Sequence, residues 1–281
     1  MNIKILSDST CDLPKELIEK YDISLFPLTV IKDGVNYRDN VTITPADIFA
    51  HVAAGGDLCS TTAGNVTEYQ ALFAQHVDKY DGIVHISLGS GFSSSYQNAC
   101  LAAMDYENIV VIDSQSLSTG QGHIVVKAAQ LAAQCETLAE LKAQIEAYAP
   151  KVEASFVLDQ LKYMAKGGRC SSAAALGANL LNLKPCIEVR DGKMSVVKKY
   201  RGTYAKCLAN YIKDRLDGRE DIDPELLLLT YTPVSESDLT AVKNAIAEYG
   251  SYFSSVTECE AGCTVSCHCG PGTLGVLFLR K

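Results

Sequence analysis

Short all-apolar runs alternate with longer stretches of helical spacing along the first half of the chain. Asn2 to Leu6 reads as a strand that ends in Ser7-Asp8-Ser9-Thr10, and Leu13-Pro14 opens a helix reaching about Tyr21. Leu25 to Lys32 is extended, turns at Asp33-Gly34 and continues at Val35 to Tyr37. Thr44-Pro45 sets a capping hydroxyl before proline at a first helical position, so Ala46 to Ala54 is predicted helical, with Gly55-Gly56 ending it. The polar stretch Ser60 to Asn65 reads as a loop, and Tyr69, Leu72, Phe73 and Val77 place a helix over Val66 to Lys79. Gly82 to Ser87 and Ile109 to Ile112 are buried strands, each followed by a helix: Tyr96 to Met104 after the Gly89–Ser95 loop, and a second through Ala133. Strands buried on both faces and separated by helices imply βαβ units and a parallel sheet.

The second half changes rhythm. Leu138 to Tyr148 reads as a helix that closes the first region, and Pro150 begins the crossover. Ser155 to Leu158, Pro185 to Glu188, Met194 to Lys198, Leu226 to Tyr231 and Thr273 to Leu279 read as strands, with helices over Leu161 to Lys166 and Ala173 to Leu181. Asp191-Gly192 between two strands is a hairpin signal, so this sheet is predicted to be mixed and partly antiparallel. The expected class is α/β, in two parts.

Composition narrows the partners. With 47% hydrophobic and 21% charged residues the 281-residue chain is ordinary globular material, and a net charge of −8 argues against nucleic acid. No cationic segment followed by an apolar one stands at the start, and the longest apolar runs are far too short to span a bilayer. The expectation is a cytoplasmic protein with no stable membrane insertion. The eleven cysteines, in that setting, are expected to be reduced core residues. Cys259, Cys263, Cys267 and Cys269, with His268, form the one cluster suggestive of metal. On an extended segment Cys267 and Cys269 would share a face opposite His268, which is not zinc-ligand spacing, so no metal is expected.

Two hydroxyl-rich loops are candidate chemistry: Thr61-Thr62 and Ser93-Ser94-Ser95, each read as standing at the carboxyl end of a parallel strand before a helix. Hydroxyls and free amides at helix starts favour an anion, yet the same residues also serve as ordinary caps. Gly89-Ser90-Gly91-Phe92-Ser93 lacks the central serine of a nucleophile elbow, and neither G-x-G-x-x-G after the first strand nor a P-loop occurs. A Ser93/His268 acyl hydrolase or transferase is the alternative from a different class.

Several motifs, taken in order, resemble the DegV family of bacterial lipid-binding proteins. Asp8-Ser9-Thr10-Cys11-Asp12-Leu13-Pro14 is similar to D-S-x-x-D-L-P, and Ser90 to Gln97 to S-G-L-S-G-T-Y-Q with Ser94 in place of a glycine. Tyr163 to Arg169 resembles Y-L-x-K-G-G-R; Leu181 to Pro185, Asp191-Gly192-Lys193, Arg201-Gly202 and His268-Cys269-Gly270-Pro271-Gly272 continue the pattern. The resemblance covers essentially the whole chain. It implies an N-terminal α/β domain over 1–150, a C-terminal one over 151–281, and one long-chain fatty acid in an apolar tunnel at their junction. It also implies a carboxylate held by hydroxyls among Thr61, Thr62, Ser93, Ser94 and Ser95 with His268 nearby, Arg201 facing a fatty acid kinase, no cofactor beyond the lipid, and a carrier rather than an enzyme.

Overall fold

The computed structural model describes residues 1–175 and 183–281. The first half contains β1 (Ile3–Asp8), α1 (Lys15–Lys20), β2 (Ser24–Phe26), β3 (Thr29–Lys32), β4 (Val35–Arg38), α2 (Pro45–Ala53), β5 (Ser60–Thr62) and α3 (Val66–Ala74). It continues with β6 (Gly82–Ser87), α4 (Ser95–Ala103), β7 (Ile109–Asp113), α5 (Thr119–Ala132) and α6 (Leu138–Glu146). Strands β2-β1-β6-β7 form a wholly parallel sheet, as the all-apolar runs predicted.

Local signals account for many element ends. Thr44 Oγ1 accepts from the Asp47 amide while the Asp47 carboxylate accepts from the Thr44 amide, a full capping box with Pro45 in the first turn. The turns Asp33-Gly34 and Asp191-Gly192 both have positive φ at each residue, the geometry that two-residue hairpins require.

The second half contains β8 (Val152–Leu158), α7 (Lys162–Gly167), α8 (Ser171–Ala174), β9 (Leu183–Arg190), β10 (Lys193–Arg201), α9 (Tyr204–Leu216), β11 (Leu227–Tyr231), α10 (Glu236–Ala247), β12 (Val256–Glu260), α11 (Cys263–Cys269) and β13 (Thr273–Leu279). Its sheet runs β10-β9-β8-β13-β11-β12, with only the β11–β12 pair parallel. The predicted mixed sheet is therefore present. Of the helix expected over Ala173 to Leu181, residues 176–181 lie outside the described residues, as do residues 181 and 182 of the Leu181 to Pro185 motif.

Three expectations need correction. Residues 60–62 are not loop: β5 pairs antiparallel with β3 in a separate three-stranded sheet, β4-β3-β5. Thr61 and Thr62 thus do not follow a parallel strand, and the cap of α3 is Asn65, whose side chain accepts from the Glu68 amide. The segment around Cys267-His268-Cys269 is helix, not extended. Helices α9 and α10 and strand β12 also carry no counterpart in the sequence reading.

All four strands of the parallel sheet precede residue 150 and all six of the mixed sheet follow it. One apolar core joins them: Leu6, Phe26, Tyr69 and Leu88 from the first half pack in a single cluster with Phe156, Ile187, Val265 and Leu277 from the second. Helix α11 crosses over, touching α2, β3 and β5 as well as α7. That crossing sets Thr264 and His268 of α11 around the same cavity as Thr61 and Thr62 of β5.

Candidate functional site

The site begins at the carboxyl end of β1. Asp8 is fully buried and accepts from Tyr69 OH (2.7 Å), Ser87 Oγ (2.8 Å) and the Leu88 amide (2.8 Å), with His85 Nε2 3.2 Å away. Burial alone would raise its carboxyl; His85 and these donors outweigh it and hold the group below the usual carboxylate range. The result is a fixed exit from β6 into the Ser90–Ser95 loop.

That loop is pinned from the other side. A side chain at Gly91 would run into the Gly192 carbonyl, so the β9–β10 turn sits directly on it. Met194, two residues past the turn, lines the cavity beneath.

The cavity, about 70 Å³, is bounded by Thr61, Thr62, Ser93, Thr264, His268 and Arg169, with Leu28, Leu88, Phe92 and Met164 among its apolar members. It shares Leu117, Val265 and Cys269 as a common wall with a second cavity of about 30 Å³. The second is lined by Ala154, Phe156, Val189 and Leu277, together with threonines whose hydroxyls are already bonded, among them Thr232 and Thr273. A larger crevice of about 330 Å³ lies elsewhere, walled by Glu153, Glu188, Arg190 and Arg280, and its charged lining is unsuited to an apolar chain.

The predicted residues do not all meet. Thr61, Thr62, Ser93 and His268 share the first cavity. Thr61 Oγ1 and His268 Nε2 lie 2.8 Å apart across 207 residues of sequence. Ser93 Oγ accepts from the Ser95 amide (3.1 Å) and pairs with Ser95 Oγ (2.9 Å), so it serves the first amide of α4 as well as lining the cavity, while the cap position itself is Ser94. Ser95 is buried beneath it, whereas Ser94 is exposed and lines no part of the cavity. Arg201 ends the edge strand β10, exposed and outside the cavity lining.

Two cavity residues escaped the sequence reading. Thr264 stands one helical turn before His268, and residues four apart share a helix face. Its hydroxyl is buried and has no partner among the described residues. Once α11 is recognised as helix the i, i+4 relation is visible in the sequence; an extended reading hides it. Arg169 closes the Tyr163 to Arg169 motif, where its charge was the available signal. The exposed guanidinium donates to the Gly167 carbonyl at 2.6 Å and stands at the rim. Gly167 is needed here because a Cβ would lie 2.5 Å from His268 Nδ1, and Gly168 takes the left-handed conformation that ends α7.

Burial pushes the His268 imidazole down to about 4, with Arg169 adding to the effect, so the ring is neutral near pH 7. His268 hydrogen-bonds Thr61 rather than Ser93, and Nδ1 has no partner among the described residues. A nucleophile–base–carboxylate chain is therefore not assembled. The arrangement offers neutral donors at one end of an apolar space.

The helical turn also separates the cysteines. Cys263 and Cys267 face a small core with Val30, Ile43, Ile48 and Cys59, and Cys263 Sγ donates to the Ile43 carbonyl at 3.2 Å. Cys269 faces the cavity. Among the described residues no three His, Cys, Asp or Glu side chains converge as metal ligands would, and no helix is long and apolar enough to cross a membrane.

The sequence model of the DegV family matches residues 2–281. A DegV domain-containing protein of Clostridium acetobutylicum is 32% identical over 283 residues, covering 99% of each chain. A DegV family protein from Thermus thermophilus, whose structure is described as fatty acid binding, superposes with a TM-score of 0.88 at 26% identity over the full length of both chains. A fatty acid (stearic acid)-binding protein from Eubacterium ventriosum superposes with a TM-score of 0.84 at 26% identity, covering 99% of this chain and 98% of that one.

Proposed function

The chain belongs to the DegV family, and from that membership and the paired cavities we propose that it binds one long-chain fatty acid as a carrier and performs no catalysis on it. The observation that carries the reading is the Thr61–His268 pair at the head of a cavity whose continuation is apolar. A carboxylate entering such a space needs hydrogen bonds to offset lost hydration. With the ring proton on Nε2, His268 donates to Thr61 and frees the Thr61 hydroxyl to turn toward the ligand. Ser93, Thr62 and the unpartnered Thr264 hydroxyl supply further donors, and Arg169 supplies positive charge at the rim. The acyl chain would run past Leu117, Val265 and Cys269 into the second cavity. Each buried CH₂ contributes roughly 0.8 kcal/mol before ordering costs, so the tail sets affinity and the head sets orientation.

Residues 1–150 and 151–281 then act as two domains contributing opposite walls. In the same reading the protein is cytoplasmic and presents the carboxylate to a fatty acid kinase that forms the acyl phosphate. Exposed Arg201 at the end of β10 would face that partner. The hydrolase alternative loses support because His268 is committed to Thr61 and lacks an orienting carboxylate.

The test is mass spectrometry of lipid released by denaturing protein purified from a bacterial host. A stoichiometric fatty acid is expected. Repeated recovery of empty protein that takes up no added palmitate would sink the proposal.

A further inference from the structure

Helix α11 carries Thr264 and His268 into the cavity, yet it has only seven residues, and the cap position before it is Gly262, which has no side chain. Its first amides must find acceptors elsewhere. Two buried carboxylates from the first half of the chain supply them. Asp39 accepts from the Cys263 amide (2.7 Å), the Thr264 amide (3.2 Å) and Ser9 Oγ (2.9 Å). Asp12 accepts from the Gly262 amide (2.9 Å) and Ser118 Oγ (2.6 Å), 250 and 106 residues away in sequence. Gly262 is wedged between them: a Cβ there would lie 3.0 Å from Asp12 Oδ1 and 3.2 Å from Asp39 Oδ1.

We infer that Asp12 and Asp39 are positioning residues for the carboxylate site, clasping the first turn of α11 and so setting where Thr264 and His268 stand. The inference rests on the fatty-acid reading above for its functional consequence. The two carboxyls have different roles. Every contact to Asp39 is a donor, so the clasp requires a pure acceptor there, and an asparagine would aim its NH₂ at one of three donor groups. Asp12 is held at a left-handed backbone (φ 48°), and burial pushes its carboxyl up to about 8, with the charge of Asp39 adding and the Ser118 and Gly262 bonds opposing. Near neutral pH it carries a proton, which Oδ2 donates to the Ser118 hydroxyl while Oδ1 goes on accepting from the Gly262 amide, and an asparagine reproduces both bonds.

Among the described residues, the surroundings of Asp12 offer nothing to neutralise a second charge. The ionisable neighbours acting with it are Asp39, Cys11 beside it, Cys259 on β12, and Cys263 and Cys269 on α11, all four thiols being kept protonated by burial. No Lys, Arg or His is ion-paired with Asp12 among the described residues. As pH rises through about 8, a second carboxylate appears beside the first and the helix start loosens.

The experiment measures palmitate affinity of the full chain between about pH 7 and about pH 9, in wild type, Asp12→Asn and Asp39→Asn, alongside the His268 ring resonances by NMR. Wild type should lose affinity about tenfold across that range as Asp12 deprotonates. Asp12→Asn should stay within about threefold of wild type at neutral pH and show no alkaline loss. Asp39→Asn should bind at least about tenfold more weakly throughout, with displaced His268 resonances. An alkaline loss that persists in Asp12→Asn, or an Asp39→Asn protein with wild-type affinity and unmoved ring signals, would overturn the clasp. Should Asp39→Asn fail to fold, the Asp12→Asn pH profile still decides. Wild type that takes up no palmitate at neutral pH defeats the lipid reading instead, and the ring resonances then judge the clasp alone.

Discussion

The two walls that meet at the Thr61–His268 contact are built by different means. The hydroxyl wall stands on shorter-range structure: β5 is held by its ladder to β3, about thirty residues upstream, and Ser93 Oγ accepts from the Ser95 amide at the start of α4. The facing wall, α11, has almost nothing local to hold it. Its seven residues include three cysteines, a threonine and a valine, none a strong helix former, and its amides are satisfied by carboxylates more than 220 residues upstream. A wall set by neighbours in sequence tolerates change elsewhere in the molecule. One set by distant partners transmits it.

The strongest way to break that contrast is at the end of α11. Gly270 has φ +76°, and a side chain there would enter the Tyr163 ring. Gly270→Val should cost about 3 kcal/mol or more, read as a lowered unfolding midpoint in denaturant. The equivalent change on the hydroxyl wall, Thr62→Val at an exposed edge position, should leave the midpoint within about 0.5 kcal/mol.

Acid titration separates the walls next. Burial lowers both His268 and His123 to about 4, well below the unfolded value, and His123 also bonds the Leu277 carbonyl at 3.0 Å. A group whose folded pKa is depressed in this way binds fewer protons folded than unfolded. Its neutral form therefore supports the fold fully above the unfolded value of about 6.5, and that support is lost as pH falls toward 4. Each ring should account for up to about 3 kcal/mol of acid destabilisation. His268→Gln should flatten part of this limb in chemical denaturation between pH 7 and pH 4, while Ser93→Ala should leave it unchanged.

Smaller effects test the contact itself. Thr61→Val and His268→Gln should each weaken palmitate binding by about 1–2 kcal/mol, near tenfold, measured by calorimetry. The double variant should lose less than the sum, because the two side chains act as one donor pair. Ser93→Ala should weaken binding by about 1 kcal/mol or less, since its oxygen already serves the Ser95 amide. Full additivity of the Thr61 and His268 losses would mean that the two walls contribute independently.

Much of the first half could be read from the residues because its cues are local. Ile109–Asp113 and Gly82–Ser87 are apolar enough to be strands only in a covered parallel sheet, and Thr44-Pro45-Ala46-Asp47 spells its own capping box. Family resemblance located Thr61, Thr62, Ser93 and His268, which do share a cavity. It did not separate them from Ser94, which faces solvent one residue from a buried neighbour. Side-chain direction at a helix start turns on a single residue of register, and hydroxyl content does not carry that register.

Apolar period, turn dipeptides and caps thus determined from the residues alone that the chain is α/β, that its first sheet is parallel and that its second is mixed with a hairpin at Asp191-Gly192. Those are interactions among residues a few positions apart, whose free energies are available before any distant contact forms. Only tertiary structure made Cys263–Cys269 a helix, turned Thr264 and His268 to one side and Cys263 and Cys267 to the other, and enlisted Asp12 and Asp39 as its caps. A seven-residue segment of weak helix formers pays too much nucleation entropy to be helical by itself. Buried acceptors from the other half of the molecule offset that cost, and the helix they hold forms one wall of the cavity.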